Sequence, residues 1–190
     1  MAIVLASQSP RRQELLQRIG VEDFKTLSLD IDESYPEGLS PEDTVRYIAK
    51  KKCDAAAALC APDDLIITAD TMVFLGNDRL GKPRDEEDAF RMLRELAGRG
   101  HTVCTGVSVR RGAQEERFAV STRVFFRPMT DDEIRAYIKT GEPMDKAGAY
   151  GVQSRGALFV ERIDGDFFNV MGLPVEQLGL VLARFGVKLL

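Results

Sequence analysis

The stretch Ile3-Val4-Leu5-Ala6-Ser7-Gln8-Ser9-Pro10-Arg11-Arg12-Gln13-Glu14-Leu15-Leu16-Gln17-Arg18-Ile19-Gly20 decides the fold class. Its apolar run, Ile3 to Leu5, reads as a buried strand. Ser9 then takes the cap position, Pro10 the first helical position and Gly20 the place past the end, so a strand passes directly into a helix. The alternation repeats downstream. Phe24 to Leu29 reads as a strand leading into the acidic turn Asp30-Ile31-Asp32-Glu33, and Ser40-Pro41-Glu42-Asp43 opens a helix running to about Cys60. Leu65 to Thr68 is a fully apolar-type strand, which Thr71 to Leu75 continues or pairs with. Gly76-Asn77-Asp78 is a turn, and Asp85 caps a helix with Ala89, Phe90, Leu93, Leu96 and Ala97 at helical spacing, closed by Gly98.

Further along, Val103 to Val109 and Phe118 to Phe126 alternate as half-buried antiparallel strands do. Thr130 and Glu133 form a capping box for a helix ending near Lys139. A glycine-rich stretch, residues 145–156, precedes a strand pair, Leu158 to Ile163 and Phe167 to Val170, about the turn Asp164-Gly165. Pro174 starts a final amphipathic helix. Helices interleaved with both crossover and hairpin strands give an α/β class with a mixed sheet. No repeat, low-complexity tract or linker marks a boundary, so residues 1–190 read as a single domain.

Composition narrows the function. The chain has 190 residues, 44% apolar and 29% charged, the make-up of a globular domain with a sizeable core. Its net charge of −4 provides no global field for nucleic acid or an acidic membrane. No apolar run reaches the roughly 18–20 residues of a membrane span. At the N-terminus the basic residues follow the apolar stretch, the reverse of a secretory signal. Cys53, Cys60 and Cys104 form no CxxC pair, which points to a reduced, cytoplasmic compartment. His101 is the single histidine and reads as a turn or strand-end residue. A His-rich zinc site is thus excluded, leaving a hard ion such as Mg²⁺ or Mn²⁺ on carboxylates as the metal to expect.

Three features carry chemistry. Arg11 and Arg12 sit in a first helical turn, where each opposes the helix dipole by roughly 0.3–1 kcal/mol. An anion held there by backbone N–H groups, the hydroxyls of Ser7 and Ser9 and the guanidinium groups would repay that cost. Lys52 falls in the middle of the apolar stripe Val45, Ile48, Ala49, Ala56 and Leu59, whereas Lys50 and Lys51 point away to solvent. An inward ammonium needs an anion beside it. Asp70 follows the apolar run Leu65-Ile66-Ile67, at what reads as the carboxyl end of a buried strand, where α/β sheets bind ligands. It suits a general base, a metal ligand or a turn cap; Glu33 suits a metal carboxylate or a solvated loop.

Gly76-Asn77-Asp78-Arg79-Leu80-Gly81-Lys82-Pro83 imitates the start of a P-loop but fails at Pro83, which brings neither hydroxyl nor N–H, so only Lys82 is retained as a phosphate contact. The glycines of residues 147–151 open no helix after a strand and form no dinucleotide fingerprint. Cations Arg11, Arg12, Lys52 and Lys82 with carboxylates Glu33 and Asp70 are the parts for a polyphosphate bound with a divalent ion.

Leu5–Arg12, Asp32-Glu33, Ala69-Asp70-Thr71, Gly81-Lys82-Pro83, Thr105-Gly106-Val107, Asp145–Gln153 and Asn169–Pro174 together resemble the Maf family, nearly end to end and in order. The resemblance implies an elongated mixed β-sheet with flanking helices in two lobes around a central cleft, akin to inosine triphosphatases. It also implies hydrolysis of nucleoside triphosphates to the monophosphate and pyrophosphate, a link to septum formation, and a possible homodimer, with no nucleic-acid or membrane partner. Arg11, Thr71 and Gln153 match the positions that mark the dTTP/UTP branch. Asp70 matches the proton acceptor and a metal ligand, Glu33 a metal ligand, and Ser7, Arg12, Lys52 and Lys82 phosphate contacts. A 7-methyl-GTP-type pyrophosphatase, which has tryptophan where Arg11 stands, and a non-catalytic nucleotide-binding regulator of septation are the alternatives.

Overall fold

The computed structural model describes residues 1–190, and its element order follows the sequence reading closely. It runs β1 (Ile3–Leu5), α1 (Pro10–Arg18), β2 (Phe24–Thr26), α2 (Pro41–Ala57), β3 (Leu65–Leu75), β4 (Asp78–Leu80) and α3 (Glu86–Leu96). Then come β5 (Gly100–Arg111), β6 (Gln114–Phe126), α4 (Asp131–Ile138), three short 3₁₀ turns between Glu142 and Phe159, β7 (Val160–Asp164), α5 (Phe167–Met171) and α6 (Val175–Arg184). The seven strands form one mixed sheet in the order β2-β1-β3-β5-β6-β7, with β4 paired to β3. β1 is parallel to both β2 and β3, whereas β3–β4 and β6–β7 are antiparallel.

The helix starts follow from local chemistry. Ser40 Oγ accepts from Asp43 N, Asp85 Oδ1 from Asp88 N, and Thr130 and Glu133 complete the reciprocal capping box. Ser9 is different: it occupies the cap position of α1, yet its side chain accepts no capping bond.

Several boundaries and one element differ from expectation. β2 ends at Thr26 instead of Leu29, and α2 at Ala57 instead of Cys60, so Leu59 lies outside the helix and is 68% exposed. Cys53, fully buried, takes its share of the inward stripe. Leu158 is exposed in a 3₁₀ turn ahead of β7. The expected strand Phe167–Val170 is the helix α5, because Asp166 Oδ1 accepts from Phe168 N at 2.8 Å and turns the chain. The inward face is then anchored by Asn169, whose Nδ2 donates to Val103 O and Thr122 Oγ1. Asp70 does not end its strand either; β3 runs on to Leu75.

Backbone contacts divide the chain into two compact units, 1–70 with 105–120 and 172–190, and 71–104 with 121–171. In the first, Leu5, Leu15, Ile48, Ile67, Val107 and Leu182 are buried together as core. In the second, Leu93, Leu96, Phe126, Ile134 and Phe159 do the same. His101, expected as a turn or strand-end residue, lies near the start of β5 and is core as well. Its Nε2 is 2.8 Å from Tyr150 Oη, and its ring meets Phe126 and Tyr150 edge-on.

Candidate active site

The first unit gathers Ser7, Arg12, Glu33, Lys52 and Asp70, and the way it does so starts with α2 and β3. Gly106 on β5 lies so close to α2 that an added Cβ would stand 2.3 Å from Val45 C and 2.4 Å from its carbonyl oxygen. Only glycine permits that approach. Thr68 Oγ1 then donates to Ala49 O at 2.6 Å, a fully buried bond that sets the register of β3 against α2. Lys52, one helical turn beyond Ala49, and Asp70, two residues beyond Thr68 on the same strand face, are brought together as a result. Lys52 Nζ donates to Asp70 Oδ1 at 2.8 Å and pairs with Glu33 Oε1 at 2.9 Å.

Lys52 is the inward cation its helical position predicted, with its side chain 14% exposed. Asp70 is buried too, and its second oxygen, Oδ2, accepts no hydrogen bond. β3 pairs with β1 through Ile67 and with β4 from Val73, and Asp70 lies in the interval. There Arg12 Nη1 donates to Ala69 O at 2.9 Å and to Ser7 Oγ at 3.2 Å, while its Nε donates to Gly172 O at 2.8 Å. Arg12 is therefore a clamp on the backbone next to Asp70, a role its place in the first helical turn did not announce. Burial draws its guanidinium below the usual arginine range; Asp70 opposes the drop, Arg11 adds to it, and Glu33 opposes it.

The loop bearing Glu33 is held by residues that sequence reasoning missed. Asp32 accepts from the backbone and hydroxyl of Ser34 and from Lys51 Nζ, which also donates to Ser34 O. Lys51 is thus a clip between α2 and the Glu33 loop, not a purely solvated lysine. The Ser34 hydroxyl and backbone, with Lys51, hold the Asp32 carboxyl down at about 2. A serine two residues after an aspartate, the spacing of an Asx turn, is the signal that could have found the first half of this arrangement.

Arg11, half-buried, is at the second position of α1. Thr71, Lys82 and Gln153 belong to the second unit; Lys82 and Gln153 are exposed and Thr71 is half-buried. Lys82 lies on a bend ahead of α3 and no helix starts there, in keeping with the rejected P-loop. Its loop is tied by Gly148 N donating to Gly81 O at 3.0 Å. No group of three or more His, Cys, Asp or Glu side chains forms a metal cage. Two neighbouring carboxylates, one with an unsatisfied buried oxygen, are nonetheless the donors Mg²⁺ takes when phosphate oxygens and water complete its shell, so the residues present fit such an ion.

A cation fixed between two carboxylates, beside the uncapped start of a helix with two arginines, can hold an anionic ligand and accept a proton from water. The Maf-like protein family matches residues 2–185 of the chain. A dTTP/UTP pyrophosphatase of Bacillus velezensis is 46% identical over 186 residues, 98% of this chain and 97% of that protein. Proteins of the same name from Pelotomaculum thermopropionicum and Dictyoglomus turgidum are 46% and 47% identical, each over 99% of this chain and 98% of their own length. Among solved structures, the Ham1 protein of Coxiella burnetii superposes with a TM-score of 0.58 at 14% identity, covering 97% of this chain and 99% of that one. The Ham1 protein of Staphylococcus aureus gives 0.55 at 14% identity, covering 97% and 100%. At such identity the likeness is one of fold.

Proposed function

The chain belongs to the Maf family, and from that membership we propose that it is a dTTP/UTP pyrophosphatase, residues 1–190 acting as one catalytic domain. The observation that carries the reading is the Asp70 carboxylate, oriented by Lys52 through Oδ1 while Oδ2 is left without a hydrogen bond. Such an oxygen can take a proton. The water it deprotonates attacks the α-phosphorus, the bond from that phosphorus to the α–β bridging oxygen breaks, and pyrophosphate leaves with the electron pair. The products are the nucleoside monophosphate and pyrophosphate.

Charge builds on the leaving group, and preorganised cations lower the barrier by meeting it. Lys52 and Lys82 supply direct contacts, Ser7 a hydroxyl, and the start of α1 its N–H groups and dipole. Arg12 contributes positive charge while its hydrogen bonds keep Ala69, and so Asp70, in place. Glu33 and Asp70 would hold Mg²⁺ or Mn²⁺, which when bound adds positive charge beside the phosphates. Arg11, Thr71 and Gln153 select the base, Gln153 through the donor and acceptor of its amide.

A panel of triphosphates with pyrophosphate detection, run with and without Mg²⁺ or Mn²⁺, tests the assignment. Release from dTTP and UTP well above GTP and ATP, dependent on the ion, is the expected result. Preference for 7-methyl-GTP, or nucleotide binding with no product, would replace it with one of the alternatives.

A further inference from the structure

The chemistry around Asp70 leaves unexplained how the exposed Gln153 is held still enough to read a base. An amide has nearly the same shape when turned over, so it discriminates only from a fixed support. The segment carrying Gln153 has no regular secondary structure to provide one; residues 151–154 form a turn between two 3₁₀ turns.

We propose that Glu142 is the positioning residue for Gln153, and through it a determinant of base selectivity; this rests on the reading of Gln153 given above. The Glu142 carboxylate accepts four hydrogen bonds: from Tyr137 Oη at 2.7 Å, Ser154 Oγ at 2.7 Å, Gly156 N at 3.1 Å and Arg155 N at 3.3 Å. Tyr137 Oη accepts in turn from Gly151 N at 3.1 Å. Donors on both sides of Gln153 therefore converge, directly or through Tyr137, on one carboxylate. The loop is pinched at its neck, where an added Cβ on Gly156 would lie 2.6 Å from Gly151 O and 2.9 Å from Tyr137 Oη. Lys146 Nζ closes the far side by donating to Glu142 O at 2.7 Å.

The charge state suits the task. Burial favours a neutral Glu142, but the hydrogen bonds from Ser154, Tyr137, Gly156 and Arg155 prevail and hold its carboxyl below the usual range. Glu142 is therefore ionised across the neutral range, and an acceptor-only group faces donors alone. Replacing it removes the knot that closes the loop without touching the Lys52–Asp70 pair.

The test compares kcat/KM for UTP and CTP, which differ at the base edge an amide reads, in Glu142→Ala, Glu142→Gln, Ser154→Ala and Gln153→Ala. Glu142→Ala is expected to cut the preference for UTP about tenfold, through KM more than kcat, the size of one well-aligned hydrogen bond. Glu142→Gln keeps the oxygen that takes three of the four bonds and should restore part of the preference. Ser154→Ala, at an exposed position, lowers it in the same direction and keeps the test open if Glu142→Ala does not fold. An equal fall for both substrates, or an unchanged ratio in Glu142→Ala or, failing its folding, in Ser154→Ala, overturns the positioning role. An unchanged ratio in Gln153→Ala removes the base-reading assignment itself, and with it the proposal; a changed ratio there with none in the Glu142 variants sinks the positioning role alone.

Discussion

Thr68 Oγ1 and Ala49 O, 2.6 Å apart in the interior, fix the register between the strand that carries Asp70 and the helix that carries Lys52. The helical carbonyl has a backbone partner one turn on, so losing the hydroxyl strands no acceptor. Thr68→Val should destabilise by only about 1 kcal/mol, the net worth of one buried bond. Its effect on kcat is expected to exceed its effect on melting, because the Lys52–Asp70 distance depends on that register. Thr68→Ser, which keeps the hydroxyl, should restore turnover; if the valine variant hydrolyses UTP at the wild-type rate, register is held by packing alone.

Removing Lys52 leaves two carboxylates facing each other with no cation between them. Lys52→Met should cost about 3 kcal/mol, chiefly because buried Asp70 loses its hydrogen-bonded ion-pair partner and keeps only the longer-range attraction of Arg12, whereas Glu33 is half exposed and reaches water. The same substitution in an Asp70→Asn background should cost clearly less. A denaturation double-mutant cycle measures the difference, and strict additivity would show that the ion pair contributes nothing.

Asp70→Asn preserves shape and still offers an oxygen to Lys52, but it has no basic lone pair for a proton. Turnover of UTP is expected to fall by about 10²–10⁴, the usual worth of a general base. Nucleotide affinity, measured by calorimetry, should stay within a few-fold. Pyrophosphate release at the wild-type rate would move the base to another residue.

What could be read from the chain is what local chemistry decides. Ser40, Asp85 and the Thr130–Glu133 box mark their helices because a cap is decided within four consecutive residues. Lys52 was legible from helical phase alone. Phe167–Val170 was not, since aromatic and β-branched residues favour strands until Asp166 and the anchored amide of Asn169 override them. Lys51 was misread for a related reason: its partner Asp32 lies 19 residues earlier and meets it only after the chain folds back. Arg12 signalled an anion by its position, and nothing local shows that its guanidinium is spent on the carbonyls of Ala69 and Gly172. Asp70 looked like the end of a strand because the polar residue interrupts an apolar run that resumes after it.

Gly106→Ala places a methyl group against the backbone of Val45, which cannot swing aside as a side chain would. Either α2 moves or the strand bends. A loss of about 3 kcal/mol is expected from this overpacking, with a larger fractional loss of activity because α2 carries Lys52. Thermal melts and initial rates on the same preparation separate the two, and a variant as stable as the parent would place the helix farther from the sheet.

His101 sets the acid limit of the fold. Burial alone pulls its imidazole from 6.5 down to about 4, with Nε2 engaged by Tyr150 and Nδ1 buried without a hydrogen bond. The folded chain keeps the ring neutral while the unfolded chain binds a proton, so the unfolded state gains protons as pH falls from about 6.5 to 4. Stability is complete above that window and is lost through it, by on the order of 2–3 kcal/mol. Asp88, held at about 2 by Arg91 and Arg84, and Glu133, held at about 2 by Arg127 and Thr130, add their losses only at lower pH. Urea unfolding at pH 7.5 and 5 should therefore show a drop in wild type that His101→Phe, neutral throughout, largely lacks. Equal drops in both proteins would mean that the proton enters elsewhere.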